Sequence, residues 1–141
     1  MKPLVMATAA VLAMSGSSAS DVASGYRWSK RPLFVFAGSA SDGTLAEQRR
    51  IVGGSRGGFT ERDMVVVYVV GDSVSAELGG KPGESAEALR ARYGVGKSEF
   101  KAVLVGKDGG AKLSSGKPLP AATLFGTIDS MPMRRDELGR G

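Results

Sequence analysis

Met64-Val65-Val66-Val67-Tyr68-Val69-Val70 is a run of seven apolar residues, five of them valine, with no polar residue between them. A strand with one wet face alternates apolar and polar side chains. An unbroken β-branched run therefore predicts a strand covered on both sides, as in the interior of an α/β sheet. Upstream, Pro32-Leu-Phe-Val-Phe-Ala37 is a second buried run, closed by Gly38. Between the two lies a helical segment from about Thr44, where Thr44-Leu-Ala-Glu47 fits a capping box. Its apolar positions include Leu45, Ile51 and Val52, and Gly53 to Gly58 is read as the loop that ends it.

Downstream, Gly71 to Gly83 reads as a polar, glycine-rich loop. A helix follows over Ser85 to Tyr93 with Ala86, Leu89 and Tyr93 on one side. Phe100 to Val105 is a third strand, and Lys107-Asp-Gly-Gly110 turns it into a short fourth near Ala111 to Leu113. Pro120 opens a final helix with Leu124, Phe125 and Ile128 as its buried stripe, and Pro132 is expected to stop it. The order is β-α-β-α-β-β-α. A strand–helix–strand unit forms a parallel pair, and the hairpin adds two antiparallel strands. The expectation is an α/β, thioredoxin-like, four-stranded mixed sheet with helices on both faces.

Residues 1–20 read as a signal peptide: Lys2 is the positive start, Leu4 to Met14 the apolar stretch, and the small residues around Ala19 to Ser20 the cleavage region. About eleven apolar residues are too few to span a bilayer, which takes about twenty. A secreted or periplasmic location, with no transmembrane anchor after signal removal, is the expectation. Residues 21–30 read as a linker and 31–138 as the domain. Removing the signal lowers the net charge from +5 to +4. A mildly basic surface favours anionic partners, but no arginine-rich run with interleaved aromatics points to nucleic acid.

The sequence contains neither cysteine nor histidine. Thiol–disulfide exchange and Cys/His metal sites have no reactive groups here, and no disulfide scaffold is possible. No cofactor or metal site is expected. Ala91 to Ser98 mimics a P-loop, but its Gly-Lys-Ser follows a helix and precedes a strand, the reverse of what phosphate wrapping requires.

Three groups of residues are candidates for binding. Ligands of open α/β sheets sit beyond the carboxyl ends of the parallel strands, next to helix amino termini. Ser39, Ser41, Asp42 and Asp72 belong to that edge; the plainer reading makes them turn and capping residues. Lys107, near Lys112, would form a recognition tip or only a soluble hairpin turn. Arg134 and Arg135 would clamp an anion or dock on an acidic partner, or else form a solvated helix end. Arg62-Asp63 reads as a surface pair, and the single RGG triplet in Gly53 to Gly58 as a loop. The leading function is a non-catalytic exported binding domain for an unknown protein, glycan or small anion of the cell envelope. The alternatives are a hydrolase or transferase using carboxylates at the sheet edge, and a partner-dependent oxidoreductase.

Five stretches together form a recognisable pattern: Arg31-Pro-Leu-Phe-Val-Phe36, Ala46-Glu-Gln-Arg-Arg50, Glu61-Arg-Asp63, Val105-Gly-Lys-Asp-Gly-Gly110 with Lys112, and Met131-Pro-Met-Arg-Arg135. In these the chain resembles the domain-of-unknown-function family numbered 4174. The resemblance implies a thioredoxin-like fold, short exported bacterial proteins and larger extracellular animal ones, and no established enzymatic activity. Ser39 and Asp42 stand after the first strand, where redox thioredoxins carry cysteines.

Overall fold

The structure, a computed structural model, describes residues 25–140; the expected signal peptide and the first residues of the expected linker lie outside them. The mixed α/β sheet has five strands, β1 (Arg31–Ala37), β2 (Met64–Val70), β3 (Ser73–Glu77), β4 (Lys101–Val105) and β5 (Ala111–Ser115). Their spatial order is β3-β2-β1-β4-β5. β1 and β2 run parallel, with Leu33 opposite Val66, and the remaining neighbours are antiparallel. The helices are α1 (Gly43–Gly54), α2 (Arg56–Glu61), α3 (Ala86–Tyr93), α4 (Ala121–Asp129) and α5 (Pro132–Arg140).

β1 and β2 are buried almost throughout because both sheet faces are covered. On one face Leu33, Val35, Val66 and Tyr68 pack with Leu45, Val52, Phe59, Leu124 and Ile128 from α1, α2 and α4. On the other, Phe34, Phe36, Val65, Val67 and Val69 pack with Ala86 and Leu89 of α3. Each such side chain contributes about 1.5–3 kcal/mol by leaving water. Tyr26 joins the second face, donates its hydroxyl to the Gly80 carbonyl at 2.8 Å, and has its pKa pushed up to about 12 by burial.

The sheet has five strands where four were expected. Ser73-Val-Ser-Ala-Glu77, read as loop, pairs with β2 as an edge strand. Its alternation of exposed serines with half-buried Val74 and Ala76 suits an edge with one wet face. The supposed loop at Gly53 to Gly58 is helical except for Ser55, so the RGG triplet lies in α2. Phe59 anchors α2 edge-to-face on Phe125, with ring centres 5.2 Å apart. Gly58 permits that approach, since a Cβ there would lie 2.6 Å from the Phe125 ring. Pro132 does not end the helical region; it opens α5, where its missing N–H costs nothing. The cap of α1 is Asp42 rather than Thr44, accepting the Thr44 amide at 2.8 Å. A carboxylate two residues earlier satisfies the free amide and also meets the helix dipole. Ser85 caps α3, and Gly94 ends it in the left-handed conformation.

An uncharged polar side chain is fully buried against the first core. Gln48 of α1 donates to the Leu119 carbonyl at 3.0 Å and accepts the Leu119 amide at 2.7 Å, fixing the strand-like entry to α4. Replacing Gln48 with Leu keeps the volume but orphans both backbone groups. Chemical denaturation is expected to show a loss of about 2–4 kcal/mol, whereas a loss under about 0.5 kcal/mol, the range of neutral surface changes, would contradict this role.

Candidate functional site

At the carboxyl ends of the parallel strands, Ser39, Ser41 and Asp42 share one turn and Asp72 sits on another. The Ser39 and Ser41 hydroxyls hydrogen-bond each other at 3.0 Å on the exposed surface. Asp42 accepts from the amide and hydroxyl of Thr44. The Thr44 hydroxyl first, then its amide, hold the Asp42 carboxyl below its ordinary range, so it stays charged and is a poor general acid. Asp72 is exposed in the tight β2–β3 turn.

The crevice expected between these turns is filled from within. Arg90 of α3, 6% exposed, donates to the Gly71 carbonyl at 2.6 Å and to the Ala37 carbonyl at 2.8 Å. These are the carbonyls that end β1 and follow β2. The segment ahead of β4 also closes on this end: a Cβ on Gly38 would lie 3.0 Å from the Ser98 Cα. A guanidinium therefore occupies the strand ends where a ligand was expected.

The opposite end of the sheet is different. Arg31 opens β1 fully buried, and its guanidinium grips Glu137 of α5 through both terminal nitrogens, at 3.4 and 3.2 Å. Lys107, which follows β4, reaches Glu137 at 2.7 Å and Asp63 at 2.8 Å. Arg134 of α5 pairs with Glu61 at 3.0 Å and Asp129 at 3.1 Å. Arg62 holds Asp129 with two parallel bonds of 3.0 and 2.9 Å and lies over the Phe125 ring. Four cations and four carboxylates thus form one connected cluster that ties α5 to the amino ends of β1 and β2. Lys107 and Arg134 are buried members of this cluster rather than free tips, Arg62 and Asp63 belong to it, and Arg135 and Lys112 are exposed outside it.

Burial by itself raises the Glu137 carboxyl, but hydrogen bonds from Lys107 and Arg31 outweigh it and hold the group below its ordinary value. The Arg62 hydrogen bond lowers Asp129 in the same way, against the opposing effect of burial.

Next to the cluster lies a cavity of about 550 Å3. Arg31, Lys107, Lys112, Trp28, Met131 and Met133 are among its walls. Trp28 is 60% exposed, and its backbone is left-handed at φ 71°. That conformation is strained for a bulky residue. It is fixed by the Trp28 amide, which donates to the Lys107 carbonyl at 2.6 Å. In the sequence Trp28 lies in the expected linker 21–30, and Arg31 stands just ahead of the apolar run that begins at Pro32. Both neighbour stretches that had been singled out, but nothing in chain spacing joins residue 31 to residue 137.

Over residues 23–137 the sequence matches the family described as Domain of unknown function (DUF4174). The chain belongs to the DUF4174 family. No solved structure matches it. Within this DUF4174 domain, four of the five stretches that carry the resemblance, those containing Arg31, Glu61 to Asp63, Lys107 to Lys112 and Met131 to Arg134, meet at the cluster and its cavity. No helix among the described residues is long and apolar enough to cross a membrane.

Glu137→Gln leaves Arg31 buried with a weakened partner, and urea denaturation is expected to register a loss of roughly 3 kcal/mol. Glu47→Gln, at an exposed pair on α1, is expected to cost under about 0.5 kcal/mol. Equal effects would contradict the role given to the cluster. The acid response follows from the same groups. Glu137 and Asp129 have folded values below their ordinary 4.5 and 3.8, so their contribution is present above those values and lost as pH falls through the folded ones. Stability measured against pH is expected to drop on acidification below pH 4.5, with a shallower slope in Glu137→Gln; parallel slopes would contradict the assignment.

Proposed function

We propose that this DUF4174 domain is an exported, non-catalytic binding domain with a thioredoxin-like fold, and that its ligand seat is the cavity at the amino end of β1. The strand order β2-β1-β4-β5, with only β1 and β2 parallel, supports the thioredoxin-like part. β3 is then an addition at the outer edge. Export rests on residues 1–20, whose charge, apolar stretch and small residues have the pattern of a cleaved signal.

The binding role draws its support from one observation above all. Segments far apart in the chain converge to build a cavity with a strained, exposed tryptophan at its wall and an ion-paired frame around it. Its volume falls in the range of small-molecule seats, about 300–1,000 Å3. Non-catalytic fits the sequence, which has neither the thiol nor the imidazole on which most nucleophilic and proton-transfer chemistry of such folds would draw. The carboxylate-based hydrolase or transferase has less support, because Asp42 is committed to capping α1 and held in its charged form.

The chain has a single tryptophan, so its emission reports Trp28 alone. Adding the small-molecule fraction of the exporting host's envelope to the purified protein is expected to raise the melting temperature and shift that emission together. The protein is expected to leave insulin disulfides intact. Substrate turnover that disappears in Asp42→Asn or Asp72→Asn would instead favour the hydrolase or transferase, and a melting shift with Trp28 silent would place the ligand elsewhere.

A further inference from the structure

The cavity combines two kinds of wall. Trp28, Met131 and Met133 are apolar, while Arg31, Lys107 and Lys112 are cationic. Asp108 is the one carboxylate among the lining residues, and it is tied to Lys112 at 2.9 Å. The lining residues themselves number three cations to one carboxylate, with Glu137 and Asp63 paired to Arg31 and Lys107 just behind them.

Two buried cations on that lining keep a donor in reserve. Lys107, 8% exposed, has three N–H donors and gives two, to Asp63 and Glu137. Arg31, fully buried, leaves its Nε–H without a hydrogen-bond partner. The two are near neighbours, since Arg31 Nη2 and Lys107 Nζ both reach Glu137 Oε2, at 3.2 and 2.7 Å. An unmet donor on a buried charged group is costly; of the two, Lys107 keeps some exposed surface where an entering acceptor removes that cost, while the Arg31 Nε–H is sealed within the fold.

We propose that the cavity binds a small amphipathic carboxylate: an apolar or aromatic body carrying one carboxylate. This rests on the reading of the cavity as a ligand seat and adds its chemical class. A carboxylate oxygen takes the third Nζ–H of Lys107, the buried Arg31 guanidinium adds its charge from behind the wall, and the body lies against Trp28, Met131 and Met133. A single negative charge fits better than a dianion, because Glu137 and Asp63 already stand against the same cations and would repel further charge. The strain at Trp28 then has a use: it holds an indole at the cavity, with the Arg27 guanidinium 5.3 Å from the ring centre.

The test titrates the full chain with 3-phenylpropanoate and decanoate, read by Trp28 emission and by calorimetry. 3-Phenylpropanamide, acetate and inorganic phosphate are the controls. Both amphipathic acids are expected to bind at least tenfold tighter than any control. Lys107→Gln is expected to abolish the preference for acid over amide. Because that variant disturbs the cluster, Met133→Ser supplies a second measurement: it leaves every ion pair in place and is expected to weaken the acids severalfold while its melting temperature holds. If the amide binds as tightly as the acid, or if phosphate binds and the acids do not, the class is overturned and the seat stands. If no compound changes Trp28 emission or gives heat, both the class and the seat are overturned.

Discussion

Arg31 enters the sheet as a charge with no access to water, and the amino end of the fold depends on how it is neutralised. A lone guanidinium in such a position would cost several kcal/mol. Glu137 removes that cost by a two-point grip, which brings the last helix back to the first strand. Lys107 pairs with the same carboxylate, so one acidic side chain of α5 also holds the segment that follows β4. Ion pairs of this kind add less net stability than an apolar core of equal volume, but they define geometry closely. What they define here is the wall of a cavity.

In the proposed reading, the two ends of the parallel strand pair exchange the roles usual for open α/β sheets. The carboxyl end, where helix amino termini and turns ordinarily admit ligands, is closed by Arg90 and by the approach of Ser98 to Gly38. The amino end, ordinarily structural, carries the cavity. The two arrangements are physically related. Arg90 satisfies strand-end carbonyls with protein donors and leaves little for a ligand to do there, while the donors of Arg31 and Lys107 are only partly used.

The legible part of this sequence was its local apolar pattern. The valine run of β2, the apolar run of β1, and the Ser85 and Gly94 ends of α3 each follow from neighbours within a few residues. β3 was missed because Val74 and Ala76 are too few to mark a strand, and its existence depends on the free edge of β2. α2 was missed because its glycines argue against a helix, whereas the Phe59–Phe125 contact decides for one. α5 is strongly polar, so its pattern announces no buried face; charge pairing docks it. The candidate residues divide the same way. Asp42 was legible as a turn or capping residue, although the cap itself was assigned to Thr44. Lys107 and Arg134 were found as noteworthy charges, but their burial comes from partners such as Asp63 and Glu61, dozens of residues away.

Amide chemical shifts of the labelled protein, followed during addition of 3-phenylpropanoate, test most directly whether the occupied end is the amino end. The account predicts changes centred on Trp28, Lys107, Asp108, Met131 and Met133, with residues 38–43 and 71–73 unmoved. Changes centred on those two turns, with the amino end silent, would contradict it.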